Sequence, residues 1–357
     1  MLHAVIMAGG SGTRFWPASR RSRPKQFLAM ATDSPLLRVT FERLGNLVPI
    51  ERVWVVTTAE TAEATRELLP ELGPENILSE PVGRNTAACA GLAAQAAQNM
   101  DPDAVCIALP ADHVIGGEPR FRAAIAAGAE FVSREGGLLT FGVRPTRPET
   151  GYGYLELGPE HSRKGEWSIH RLRQFVEKPD VERACAYLES GGYLWNAGIF
   201  AFRARTLLDE IRRQIPNLAS GLDRIGEALG TAEFDTILGE VYPSLPATSL
   251  DFGIMEGAEQ LWTLPVDFPW SDVGSWSALA EGLSDDGAGN TARGRVQTID
   301  AGDNVLVSTG PVVSVVGVDN LVVVATPDAV LVIPKDQAQR VREVVDGLQE
   351  KGWDDVL

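Results

Sequence analysis

Short apolar runs, each closed by glycine, proline or a polar cluster, recur through the first part of the chain. "LHAVIMA" at 2–8 stops at Gly9-Gly10, "RVWVVTT" at 52–58 precedes a helical pattern over 60–69, and "AVCIALPADH" at 104–113 breaks off at Pro110. Unbroken runs of this length suit buried strands that end in loops. Between them lies "VGRNTAACAGLAAQAAQN", where Asn85 and Thr86 cap an alanine-rich helix. Strands alternating with helices predict a Rossmann-like, mostly parallel sheet with flanking helices, and such sheets bind ligands beyond the carboxyl ends of their strands. The double glycine and Asp112 both fall at strand ends of that kind.

Past residue 290 the pattern tightens into Val-rich runs, "VQTID", "NVLVST", "VVSVVGV", "LVVVAT" and "AVLVIP", punctuated by Asp303-Asn304, Asp319-Asn320 and Asp328. Closely spaced strands with turn residues between them predict a small all-β coil or sheet, and "KDQAQRVREVVDGLQEK" closes it as an amphipathic helix. The boundary is expected within "SDDGAGNTARG". This gives a first domain over 1–285 and a β-rich second domain over 286–357 that ends in a helix.

Charge and cysteine content narrow the function. With 32 Lys and Arg against 48 Asp and Glu, the 357 residues carry a formal charge of −16. No broad basic field exists to coat nucleic acid or an anionic membrane. Cys89, Cys106 and Cys185 are odd in number and show no CxxC spacing, so they read as small buried residues and not as a disulfide frame or zinc site. The opening "MLHAVIMAGG" has no basic leader and falls short of the roughly 20 apolar residues that span a bilayer, so a cytoplasmic protein is expected.

Within this acidic chain, "MAGGSGTRFWPASRRSRPKQF" gathers Arg14, Arg20, Arg21, Arg23 and Lys25 directly after a glycine turn. A dinucleotide fingerprint fails there, because its third glycine position is Phe15. A P-loop fails as well, because Thr13-Arg14 stands where Lys-Ser or Lys-Thr is required. The physics of the loop survives both tests. Gly9, Gly10 and Gly12, with Ser11 and Thr13 between and beside them, let the backbone approach anionic oxygens and aim N–H groups at them, while Arg14 and Lys25 supply full charge. Pro17 and Pro24 stiffen the segment and favour that pair. Arg20, Arg21 and Arg23, taken singly, read as a solvated basic face.

The same residues resemble the signature of the sugar-1-phosphate nucleotidylyltransferases, and among them the mannose-1-phosphate guanylyltransferases: G-G-S-G-T-R-[LF]-W-P-x-S-R followed by P-K-Q-F. Five further stretches match in order: "EPVGRNTA" at 80–87, "LPADH" at 109–113, "TGYGYLE" at 150–156, "FVEKP" at 175–179 with "WNAGIF" at 195–200, and "WSDVGSW" at 270–276. The likeness spans residues 1 to about 285 and continues more loosely into the tail. It implies transfer of GMP from GTP to mannose 1-phosphate, a short left-handed β-helix in the tail, and a homodimer. Long bifunctional relatives carry an additional isomerase domain, for which this chain has no room.

In that reaction the sugar phosphate attacks the α-phosphorus and pyrophosphate leaves. The nucleophile is already anionic at neutral pH, since the second pKa of a phosphate monoester is about 6, so no general base is needed. His113 beside Asp112 reads as a local hydrogen-bonding residue. The work is positioning and charge stabilisation, which Mg2+ on one or two carboxylates serves. The resemblance supplies Asp112 and Asp272 as its ligands. Either aspartate alone would read as a turn residue; beside the glycine loop the metal reading prevails. By the same resemblance Lys178 meets the phosphate of the sugar, Glu177, Asn196 and the backbone of Gly153 meet its hydroxyls, and Asp251 is a further candidate. For the base, Glu80 can accept from the N–H donors of guanine, with Asn85 and Thr86 nearby. The rival readings are a nucleotidylyltransferase for another base or sugar and a catalytically silent nucleotide-sugar sensor, which would need no metal pair. No matched motif lies beyond 285. A chain ended near Gly289 is therefore expected to aggregate or fall to a lower-order species while any soluble fraction keeps guanylyl transfer.

Overall fold

The computed structural model describes residues 1–10, 12–30, 32–280 and 285–357. By contact these residues form two compact units: Met1–Gly9, Thr40–Ala111 and Ile115–Trp270 in the first, and Gly10–Val39, Asp112–Val114 and Ser271–Leu357 in the second.

Strands β1 (Leu2–Met7), β2 (Val53–Thr58), β3 (Ile77–Glu80), β4 (Val105–Pro110), the two-residue β5 (Val114–Ile115), β6 (Leu138–Val143), β7 (Tyr154–Lys164), β8 (Trp167–Val176), β9 (Tyr193–Arg203) and β10 (Leu261–Val266) follow in chain order. All but β5 join one sheet of order β3-β2-β1-β4-β9-β6-β10-β8-β7, with β7 also pairing with β9. The block β3-β2-β1-β4 is parallel, as apolar runs separated by helices require. Beyond it β9 runs antiparallel between β4 and β6, and β7 and β8 form an antiparallel pair, so the sheet is mixed. In β8 Trp167, Ile169 and Leu172 are buried while Arg171 and Arg173 are exposed, and the buried face changes parity where the register with β7 shifts. The alanine-rich stretch is a helix over Asn85–Met100, buried along most of its length because small side chains let neighbours close in. A Cβ on Gly91 would lie 2.4 Å from a methyl of Leu222.

In the second unit, after the two-residue β11 (Trp270–Ser271), come β12 (Thr291–Arg293), β13 (Val296–Ile299), β14 (Val305–Ser308), β15 (Val313–Val316), β16 (Leu321–Ala325) and β17 (Val330–Pro334). The pairs β12–β14, β14–β16 and β13–β15 are parallel, as in coils stacked along a β-helix, and β17 closes the array antiparallel to β16. Corners are made by Asp300, Asp303 and Asn320 at φ 48, 53 and 59, conformations that Asp and Asn tolerate better than most residues. Buried Asn304 ties successive coils together: its side-chain N–H donates to Asn290 Oδ1 at 2.9 Å and to the Val318 carbonyl at 2.9 Å, and its Oδ1 accepts from Leu321 N.

The expectation of a boundary near residue 285 divides the chain linearly, whereas packing gathers residues 10–39 with the tail. Phe15, Trp16, Leu28 and Met30 share a core with Val305, Val307, Val322, Val324, Leu331 and Val341. A glycine turn has no apolar surface of its own, so the residues that follow it anchor it by burying theirs against the coils.

Candidate active site

Gly12 sits at φ 60, and a Cβ there would lie 2.5 Å from Lys25 Cβ and 2.6 Å from its backbone nitrogen. Glycine is thus required twice, by conformation and by contact. Ser19 Oγ donates to the Gly12 carbonyl at 2.8 Å and Gln26 Nε2 to that of Gly10 at 3.2 Å, which fixes the turn from outside. Ser11 lies outside the described residues.

The turn borders a cleft of about 240 Å3 whose lining includes Thr13, Arg14, Lys25, Asp112, His113, Asp272, Gly274 and Arg342. Lys25 is 4% exposed; its ammonium donates to Asp112 Oδ2 at 2.9 Å and to the Asp272 carbonyl at 2.6 Å. Burial acts to raise the Asp112 carboxyl, but the charge and hydrogen bond of Lys25, with His113, outweigh it and hold the group below its ordinary value. Asp272 is aimed by a tight loop in which Val273 takes φ 46, a strained angle for a β-branched residue, and Gly274 N donates to Asp272 Oδ1 at 2.9 Å. Arg14 reaches the Gly274 carbonyl at 3.5 Å. Arg20 turns elsewhere, pairing with Asp328 at 3.0 Å, and Arg21 lies 4.0 Å from Asp354.

Asp112 and Asp272 line the same cleft, and no cluster of three or more His, Cys, Asp or Glu exists among the described residues. Such a donor set suits Mg2+, which takes one or two carboxylates and completes its shell with water and phosphate oxygens.

A second constellation lies in the first unit. Lys178, at φ 47, donates to Glu177 Oε1 at 2.6 Å. Asn196 holds the network together: its Nδ2 donates to Asp251 Oδ1 at 2.7 Å, its Oδ1 accepts from Thr140 Oγ1 at 2.7 Å, and its backbone N–H donates to the Gly153 carbonyl at 2.8 Å. A Cβ on Gly153 would lie 2.7 Å from Glu177 Oε2, so glycine leaves that carboxylate room. Asp251 opens a π-turn over Asp251–Met255, a backbone irregularity frequent at functional sites. Burial and the neighbouring Glu177 charge push its carboxyl up to about 6, with Asn196 and Lys178 opposing them.

Glu80 is 2% exposed at the end of β3. Its Oε1 accepts the Tyr242 hydroxyl, and its Oε2 lies 2.7 Å from where a Cβ on Gly9 would stand. Burial pushes this carboxyl up to about 7, against the Tyr242 hydrogen bond. Asn85 is exposed at φ 65 and accepts from Thr86 N at 2.8 Å, while Thr86 Oγ1 accepts from Leu250 N at 2.8 Å. Thr86 therefore anchors the stretch that leads into Asp251.

Two participants escaped the sequence. Tyr242 belongs to no recognisable motif, and Arg342 belongs to a helix whose polar face reads as ordinary solvated surface.

The family model for nucleotidyl transferases matches residues 3–288, and that for the "MannoseP isomerase/GMP-like beta-helix domain" matches 294–348. This chain belongs to the nucleotidyl transferases. It is 39% identical to a mannose-1-phosphate guanylyltransferase of Escherichia coli over 98% of its own length and 74% of that protein's. It is 40% identical to the xanthan biosynthesis protein XanB of Xanthomonas campestris over 98% and 73% of the two chains. A crystal structure described as mannose-1-phosphate geranyltransferase from Thermus thermophilus aligns with a TM-score of 0.86 at 40% identity, covering 98% of this chain and 99% of the other. As a nucleotidyl transferase the protein is an enzyme of sugar-nucleotide chemistry, and no helix among its described residues is long and apolar enough to cross a membrane.

Proposed function

We propose that this nucleotidyl transferase moves GMP from GTP to mannose 1-phosphate. A phosphate oxygen of the sugar phosphate bonds to the α-phosphorus of GTP, the bond from that phosphorus to the β-bridging oxygen breaks, and pyrophosphate departs with the electron pair. The observation that carries the reading is the cleft in which a glycine turn, Arg14, buried Lys25, Asp112 and Asp272 come together. Guanine and mannose follow the relatives from E. coli and Klebsiella pneumoniae, 39% identical and named as mannose-1-phosphate guanylyltransferases.

Gly10, Gly12 and Thr13 would take the triphosphate with Arg14 and Lys25 as counter-charges. Asp112 and Asp272 would hold Mg2+, which when bound draws negative charge from phosphate oxygens. Lys178 would meet the phosphate of the sugar, and Glu177 and Asn196 its hydroxyls, with Asp251 keeping the Asn196 amide in one orientation. Glu80 would face the guanine end of the site, its carboxyl set by Tyr242 behind the turn at Gly9.

The tail exposes Val312, Val316, Val330 and Val332, four apolar side chains that a homodimer would cover. A matrix of four nucleoside triphosphates against mannose, glucose and N-acetylglucosamine 1-phosphates, read by pyrophosphate release, tests the reading. Release confined to GTP with mannose 1-phosphate supports it. Release with another pair transfers the activity to that base or sugar, and binding without release identifies a sensor.

A further inference from the structure

The terminal helix Val341–Glu350 buries Val341 and packs Val344, Val345 and Leu348 into the cluster that contains Phe15 and Trp16. Its first turn is thereby fixed beside the segment that carries the glycine loop. One residue along, Arg342 reaches the wall of the same cleft as Arg14, Lys25, Asp112 and Asp272.

The cations in that lining differ in what they already hold. Lys25 is committed to Asp112 and to the Asp272 carbonyl, and Arg14 donates to the Gly274 carbonyl. Arg342 is exposed, and among the described residues it makes no hydrogen bond or ion pair. The carboxylate next to it, Glu343, is taken by Arg340 at 2.8 Å. An unneutralised guanidinium facing a cleft with two carboxylates, in a chain of net charge −16, is placed where an incoming polyanion supplies the missing partner. Its planar donor fork matches two phosphate oxygens at once.

We propose that Arg342 binds the pyrophosphate end of the nucleoside triphosphate and stabilises the charge that gathers there as the α–β bond breaks. The inference rests on the reading of this cleft as the triphosphate site. It makes the last helix, which carries no recognised motif, part of substrate binding.

The test compares Arg342→Ala and Arg342→Lys with Arg340→Ala, the residue that immediately precedes the helix and stands outside the cleft lining. Titration with inorganic pyrophosphate in the presence of Mg2+ should show Arg342→Ala about tenfold weaker than wild type, the size of one charge-assisted hydrogen bond. The KM for GTP should rise by a similar factor, that for mannose 1-phosphate should stay unchanged, and Arg342→Lys should recover part of the loss. Arg340→Ala should match wild type, and all variants should melt within a degree or so of it. Unchanged pyrophosphate affinity in Arg342→Ala, or an equal loss in Arg340→Ala, overturns the proposal. The two readings separate cleanly. A wild type that makes GDP-mannose beside a silent Arg342→Ala sinks this inference alone. A wild type that binds pyrophosphate through Arg342 but makes no GDP-mannose supports it and removes the choice of base and sugar.

Discussion

Glu80 and Asp112 show how position alone sets the behaviour of a carboxyl group. Asp112 keeps a side chain 38% exposed beside an ammonium, whereas Glu80 is sealed behind Gly9 with a phenol for company. Because the folded-state pKa of Glu80 is raised, to about 7, the native protein binds more protons than the unfolded chain between roughly pH 4.5 and 7, and stability falls as pH rises through that window. Buried His3, pushed down to about 4, acts in the opposite sense, losing stability as pH drops below its ordinary value. Comparison with Glu80→Gln isolates the first effect: between about pH 4 and pH 8 wild type should lose on the order of 3 kcal/mol relative to the variant in denaturant unfolding. Parallel stability curves would show that the buried carboxyl is not the source. At the proposed metal pair, Asp112→Asn and Asp272→Asn should each lower kcat/KM at least ~100-fold, about 2.7 kcal/mol, with melting little changed, because the charge is needed where phosphate charge concentrates. Near-normal turnover under saturating Mg2+ removes the residue concerned from that role. Lys178→Ala should raise the KM for the sugar phosphate and Arg14→Ala that for the triphosphate, and steady-state kinetics in which both fail only toward GTP refutes the division.

Secondary elements were legible wherever local pattern governs. The runs at 2–8, 52–58 and 104–110 became β1, β2 and β4, the alanine-rich stretch became the helix Asn85–Met100, and each Val-rich run of the tail became a strand. What the pattern cannot carry is pairing. Nothing in "YLWNAGIFAFR" distinguishes an antiparallel insertion between β4 and β6 from another parallel strand, since a strand buried on both faces reads the same in either direction. Site residues were legible as motifs, yet the contacts that orient them were not: the Asn196–Asp251 hydrogen bond joins positions 55 residues apart. In the coils, Asn304 is the element-scale test. It is fully buried and holds both neighbouring coils, so Asn304→Ala removes the side-chain donor of the Val318 carbonyl and the acceptor of the Leu321 N–H and should cost about 2–4 kcal/mol in chemical denaturation. A loss below about 0.5 kcal/mol would mean the coils stack by apolar burial alone.

For the whole molecule, the exposed valines and the shared core make separate forecasts. In β17 Val330 and Val332 face outward while Leu331 and Ile333 face the core. Paired Val330→Asp and Val332→Asp changes should therefore leave the fold intact and, in sedimentation, dissociate the proposed homodimer, and a dimer that persists places the interface elsewhere. The core that joins Phe15 and Trp16 to Val305, Val322 and Val341 also revises the fate of a chain ended at Gly289. Deprived of that core, the glycine segment loses its anchor, so even a soluble fraction should show no pyrophosphate release, and retained turnover would return the tail to a purely supporting part. Synthesis adds an order to this dependence. The ribosome delivers the glycine loop well before the valine coils, and Trp16 must hold its indole N–H for the Val356 carbonyl, 340 positions downstream. A growing chain can therefore lay down β1 to β4 of its sheet while its glycine loop still lacks a floor, and that loop gains its anchor only once the valine coils and the segment around Val356 have emerged.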